Sequence, residues 1–172
     1  MTVEKIDKPF IDKRFGIYNK EFFFESGMNI LKLSKRNKRP ISLAIIDIDN
    51  LSELNELYSY EIMNEKIKEI GSIIRNKTRD SDLLAYLEDG RFAILLYNIS
   101  GINTNIILDT IRKEITHKIN LSEDSKSKLT VSIGASIIQF QTDESTFKNI
   151  YDNAYMATNN AKEKGKNCVI AY

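Results

Sequence analysis

Apolar residues recur along this chain in two rhythms, one every three or four positions and one nearly continuous. In "NKEFFFESGMNILKLSKRNKR", Phe24, Met28 and Leu31 fall at helical spacing, which predicts a helix that buries that face. Pro40 separates it from "ISLAIIDI", a short unbroken apolar run of the kind that forms a strand covered on both faces. Between Tyr60 and Lys77, Met63, Ile67, Ile70 and Ile74 predict a second long helix. "DLLAYL" and "RFAILLYN" read as two strands joined at Asp89-Gly90, and Ile107, Ile111 and Ile115 mark a third helix. "KLTVSIGASII" alternates, with Val131, Ile133, Ala135 and Ile137 on one face and Ser132, Gly134 and Ser136 on the other. Phe147, Tyr151, Ala154 and Ala161 line a fourth helix, and "NCVIAY" reads as a closing strand. Helices and strands in this order predict an α+β fold, an antiparallel-rich sheet with helices packed against it.

Length and composition narrow the classes of function. A chain of 172 residues suits one domain with a sizeable core, and 42% apolar with 28% charged residues is the ordinary globular range. A net charge of +1 provides no broad field to draw nucleic acid or an anionic membrane. No apolar run is long enough to span a bilayer, and "MTVEKIDK" lacks the apolar stretch of a secretory leader, so a cytoplasmic domain is expected. The lone Cys168 excludes an internal disulfide and reads as a small buried apolar residue. His117, with no His, Cys or carboxylate pair nearby, reads as helix surface rather than a zinc ligand.

Two acidic stretches carry the candidate chemistry. Asp-Gly between apolar strands is a strong signal for a two-residue hairpin, because a type I′ turn needs positive φ at both central residues. "DIDN" places Asp47 and Asp49 at i and i+2, which on a regular strand face the same side. Two carboxylates at a strand end beside a hairpin can hold a divalent ion for phosphoryl or nucleotidyl transfer.

Four motifs in order then resemble the GGDEF domain, the diguanylate cyclase family, from about Asp12 to Tyr172. "DKRFGIYNKEFF" is similar to the family's D-x-L-T-G-L-x-N-R-R-x-F, keeping Asp12, Gly16, Asn19 and Phe22. "DIDNLSELNELYSY" resembles D-x-D-x-F-K-x-x-N-D-x-x-G-H, keeping Asp47, Asp49 and Asn55. "LTVSIGAS" resembles the strand before the family's last helix, and "AKEKGKN" its closing A-K-x-x-G-R-N. The resemblance implies a palm-like nucleotide cyclase fold over residues 12–172, with 1–11 as an extension or linker. That fold has a ferredoxin-like core and a central, mainly antiparallel five-stranded sheet flanked by helices.

The resemblance also implies roles for particular residues. Glu88, Asp89, Gly90, Arg91 and Phe92 stand where the family has G-G-D/E-E-F. There the glycines let the backbone approach a triphosphate, and the acids bind metal and assist the chemistry. Here two carboxylates replace the glycines, Gly90 replaces the metal-binding acid and Arg91 the next one. Asp47 keeps its metal-ligand position without that partner, so a pair of ions activating a 3′-hydroxyl is not expected. No cofactor is then required, with Mg²⁺ expected only alongside a bound nucleotide. Asn55 matches the guanine-contacting Asn. Asn64 replaces an Asp, and an amide presents donors where guanine also donates, which weakens guanine preference. Lys162 and Lys166 match phosphate contacts, Tyr155 replaces the Asp of A-D-x-A-L-Y, and Tyr58 and Tyr60 are large enough to fill a vacated base pocket.

"RDSD" resembles the family's R-x-x-D inhibitory site for cyclic di-GMP, with Arg79 stacking on guanine, Asp82 accepting from its edge and Arg112 as second Arg. Both residue types are also ordinary at a helix end and turn. The expected function is a catalytically inactive GGDEF-type domain in cyclic di-GMP signalling, a receptor or protein-interaction module with cyclic di-GMP, GTP, a protein or a second copy as partner. Two alternatives stand beside it. One is a divergent cyclase or nucleotide hydrolase using Asp47 and Mg²⁺, the other an architectural module that binds no nucleotide.

Overall fold

The computed structural model describes residues 10–121, 128–139 and 144–172. Of the segment 1–11 read as an extension, only Phe10 and Ile11 fall among them. In chain order the first elements are β1 (Ile11–Asp12), β2 (Ile17–Tyr18), α1 (Lys20–Asn37) and β3 (Ile41–Ile48). Then come α2 (Leu51–Leu57), α3 (Tyr60–Lys77), β4 (Leu83–Glu88) and β5 (Arg91–Tyr97). The rest are α4 (Gly101–Lys118), β6 (Val131–Ile138), α5 (Phe147–Glu163) and β7 (Val169–Ala171).

All eight residues of β3 are buried because it is the hub of the sheet. It pairs antiparallel with β5 on one edge and β6 on the other. Its side chains alternate between two cores. Ala44, Ile46 and Ile48 meet the apolar faces of α3 and α4, while Ile41, Leu43 and Ile45 meet those of α1 and α5. A strand covered on both faces has no place for a polar alternate, which is why its sequence reads as continuous.

The sheet corrects the expected strand count. Among the described residues it has seven strands in the order β1-β2-β4-β5-β3-β6-β7, not five, and it is mixed, with β2–β4 and β6–β7 parallel. The two extra strands are two residues each, too short to leave an alternation in the sequence. On β6, Ser132 and Ser136 are as buried as their apolar neighbours, because α5 lies directly on them. A Cβ at Gly134 would stand 2.0 Å from the Thr158 nitrogen, so only glycine lets α5 seat this deeply. That seating carries the C-terminal end of α5 to the end of β3.

Side chains fix where the helices begin. Asn19, Ser59, Ser100 and Thr146 accept the N–H of Phe22, Ile62, Asn103 and Asn149. The buried face of α1 differs from the predicted one. Phe23, Gly27, Leu31 and Ser34 point inward, and Met28 is 48% exposed. The helix is turned so that Gly27, which has no side chain, meets the Phe147 ring. Cys168 is half-buried rather than fully buried, with its thiol donating to the Ala161 carbonyl at 3.4 Å. His117 is exposed. Among the described residues, no helix is long and apolar enough to cross a membrane.

Candidate functional site

The end of β3 meets the β4–β5 hairpin and the last turn of α5, and there the acidic motifs come together. Asp47 follows Ile45 onto the α5 side of the sheet, and Arg91 is its cross-strand partner on β5. The Asp47 carboxylate accepts an ion pair from Lys162 Nζ at 2.9 Å. Burial pushes the Asp47 carboxyl above its ordinary pKa, Lys162 and Arg91 pull it back, and neighbouring Asp49 adds to the rise.

Asp49 faces the same side of the sheet as Asp47, as the i, i+2 spacing predicts, because it bonds to Ser132, the cross-strand partner of Asp47 on β6. It is nonetheless not among the residues lining the cleft beside Asp47. β3 ends at Ile48, and the Asp49 amide still donates to the Thr130 carbonyl just ahead of β6 at 3.0 Å. Its carboxylate accepts from Thr130 Oγ1 at 2.7 Å, Ser132 Oγ at 2.6 Å and the Asn167 amide at 3.1 Å. With 2% exposure and three donors, it ties β3, β6 and the approach to β7 together.

The hairpin is a type I′ turn, with Asp89 at φ 49° and Gly90 at φ 73°. Its side chains fan out. Glu88 pairs with Lys20 at 2.8 Å, which holds its carboxyl below the usual range. Asp89 is at the exposed tip, 3.4 Å from Arg91. The Gly90 amide donates to the Tyr86 hydroxyl at 2.9 Å, and Phe92 is fully buried with its ring 5.3 Å from that of Tyr86. A Cβ at residue 90 would stand 2.6 Å from Leu51 Cδ2. Arg91 lies over the Tyr155 ring, 5.7 Å from its centroid, and donates to the Tyr155 hydroxyl at 3.5 Å.

An open cleft of about 620 Å³ runs between these groups, lined by Asp47, Asn55, Arg91, Tyr155, Lys162 and Lys166 among others. A smaller hollow of about 240 Å³ adjoins it, lined by Arg14, Asn55, Tyr60, Asn64 and Tyr86 among others. Leu51, Asn55 and Asp89 border both. The structure thus brings Asn55 together with Asn64 on one side and with Asp47, Lys162 and Lys166 on the other. The two tyrosines do not fill the space. Tyr60 is 67% exposed on the rim, and Tyr58 packs against the α3 core.

Sequence reasoning did not single out Arg14 or Asn159 as site residues, and it took Tyr155 only as a departure from the family pattern. Arg14 pairs with Asp12 at 2.6 Å and stacks on Phe15 and Tyr86, contacts that no spacing announces. Tyr155, Asn159 and Lys162 do carry a signal, since steps of four and three put them on one face of α5.

The Arg79–Asp82 stretch lies at the opposite end of the strands. Asp82 is 6% exposed, and its oxygens accept the backbone N–H of Arg79 at 2.8 Å and of Tyr97 at 3.3 Å. Arg79 itself is exposed. Arg112 does not join them. Its guanidinium donates to Asp109 at 2.7 and 2.9 Å and to the Asn167 side chain at 2.9 Å, ahead of β7. Three strands separate β7 from β4, the strand that Asp82 precedes.

A mixed sheet with helices on both faces and a polar cleft at the hairpin end defines a nucleotide-cyclase-like α+β domain. The chain belongs to the GGDEF family: the family model described as "Diguanylate cyclase, GGDEF domain" matches residues 10–168. Diguanylate cyclase A of Treponema denticola is 29% identical over 153 residues, which is 87% of this chain and 41% of that protein. The probable diguanylate cyclase DgcT of Escherichia coli is 28% identical over 161 residues, 92% of this chain and 35% of that one. The chain therefore spans less than half the length of these curated relatives. In fold it is similar to the GGDEF domain of DgcB from Caulobacter crescentus, crystallised with c-di-GMP. That likeness has a TM-score of 0.87 at 19% identity over 95% of both chains.

The family's cyclases imply Mg²⁺, and the described side chains by themselves form no ready-made site for it. A magnesium ion needs oxygen donors converging in near-octahedral geometry. Asp47 is already paired with Lys162, Gly90 has no side chain, and Asp49 is consumed by its three donors. Among the described residues, no three His, Cys, Asp or Glu side chains converge.

Proposed function

We propose that this chain is a GGDEF domain without cyclase activity that serves cyclic di-GMP signalling as a receptor or protein-interaction module. One observation carries this reading: at the cleft floor, where a cyclase would gather carboxylates around metal, Asp47 faces Lys162 and Arg91. An ammonium and a guanidinium beside the lone carboxylate disfavour a divalent ion, and without ions the 3′-hydroxyl has nothing to activate it. The open cleft favours a nucleotide that is held and not converted. Reception of cyclic di-GMP would fall to Arg79, exposed and planar, with Asp82 offering the acceptor positions its two backbone partners leave.

The test is incubation of the purified domain with GTP and Mg²⁺, followed by chromatography for the cyclic dimer, beside calorimetric titration with cyclic di-GMP. We expect no dimer. Micromolar cyclic di-GMP binding that disappears in Arg79→Ala makes the domain a receptor, and its absence leaves the interaction module. A divergent cyclase remains the second reading, favoured by the accessible cleft with Asp47, Asn55 and Lys162 on its wall. Dimer formation abolished by Asp47→Asn would establish it instead.

A further inference from the structure

We infer that the cleft is built for a nucleoside triphosphate free of metal, with Arg91 and Lys162 standing where a divalent ion would neutralise the phosphates. The inference rests on the reading of the cleft as a nucleotide site without synthesis and adds the ionic form of its ligand. Three cationic side chains (Arg91, Lys162, Lys166) and three carboxylates (Asp47, Glu53, Asp89) line the cleft. Two of the cations, Arg91 and Lys162, hold the inner positions, while Lys166 is exposed and bonds to Asn50. Lys162 reaches Asp47 at 2.9 Å, and Arg91 is opposite Asp47 across the sheet. Two of the acids sit outside them. Asp89 has an 81% exposed side chain at the hairpin tip, and Glu53 is exposed on α2.

Arg91 is also loosely held. Its contacts to Asp89 and the Tyr155 hydroxyl are long, at 3.4 and 3.5 Å, so its planar fork can turn to phosphate oxygens while its stem stays on the Tyr155 ring. Lys162 lines the cleft with a one-third exposed side chain, and its ammonium has donors beyond the one spent on Asp47. A metal-bound triphosphate brings its own cation against these two charges. The uncomplexed anion brings none and presents more charge for them to bind. The adjoining hollow with Asn55 and Asn64 supplies amides for a base and does not demand guanine.

The experiment is calorimetric titration of GTP and ATP into the purified domain, once in EDTA and once in excess Mg²⁺, with thermal melts confirming that each variant is folded. Binding is expected to be at least as tight in EDTA as in magnesium, and to weaken by about tenfold in Arg91→Gln, which loses a charged donor. Arg91→Glu should reverse the preference and bind nucleotide only with the metal. Binding of wild type that requires magnesium overturns the inference and leaves the cleft a nucleotide site. So does an Arg91→Gln variant with unchanged affinity in EDTA. Silence toward both nucleotides in both conditions overturns the inference and the nucleotide reading together, and a cyclic dimer product overturns the absence of synthesis.

Discussion

Two carboxylates two residues apart, Asp49 just past the end of β3 and Asp47 at the cleft floor, have opposite fates. Asp49 is met by two hydroxyls and a backbone amide, all held by the sheet and its flanking loop. Asp47 is met by Lys162 and Arg91, long side chains that can swing away. Asp82, bound by two backbone amides, belongs with Asp49. A carboxylate satisfied by fixed donors stabilises the fold. One satisfied by flexible cations stays available to a ligand, and its burial costs stability.

The largest effect should come from Asp49→Ala. Removing a buried acceptor of three hydrogen bonds should lower stability by about 3 kcal/mol, a fall in melting temperature of about 9 °C. A loss of under about 1 kcal/mol by urea denaturation would erase the contrast with Asp47. Next comes Asp82→Ala, expected to cost about 2 kcal/mol and to speed hydrogen exchange at the Arg79 and Tyr97 amides it caps. Unchanged exchange there would mean that the carboxylate is free for a ligand after all.

Asp47→Asn should move the other way, raising stability by about 1 kcal/mol at pH 7, because it removes a buried charge that its partner only partly offsets. The pH dependence follows from its raised pKa. Between the ordinary value of 3.8 and that higher folded value, the native state binds more protons than the unfolded chain. Wild-type stability therefore falls as pH rises through that window, and the Asn advantage should shrink as the buffer is taken back down through it. Parallel melts of the two proteins between pH 3 and 7 read this directly. The smallest effect belongs to Arg79→Ala, whose exposed side chain should matter by less than about 0.5 kcal/mol to folding, so that any large change it causes is a change in binding.

Much of this was legible in the residues. The positions of α1, α3, α4 and α5 followed from apolar spacing, the β4–β5 turn from Asp89-Gly90, and the grouping of Asp47, Asn55, Lys162 and Lys166 from motif order. α2, which buries no residue, left no such spacing. β1 and β2 were not legible either, because two-residue strands leave no period and their pairing depends on strands far along the chain. The rotation of α1 depends on Phe147 lying opposite Gly27, a contact across 120 positions that spacing within one helix cannot encode. That Asp49 shares a face with Asp47 followed from alternation, but that Thr130, Ser132 and the Asn167 amide take up its carboxylate did not, because those donors lie far along the chain. Arg112 was misplaced because sequence order does not show which face of α4 meets the approach to β7.

If the domain is without synthesis as proposed, Gly90 would make a return to it costly. Its backbone is at φ 73°, and a side chain there would collide with Leu51. An acid placed at this residue would have to hold a left-handed backbone and push the end of the Leu51 side chain aside. On the proposed reading, the hairpin would then resist the return of a metal-binding acid through both its backbone and its packing on Leu51.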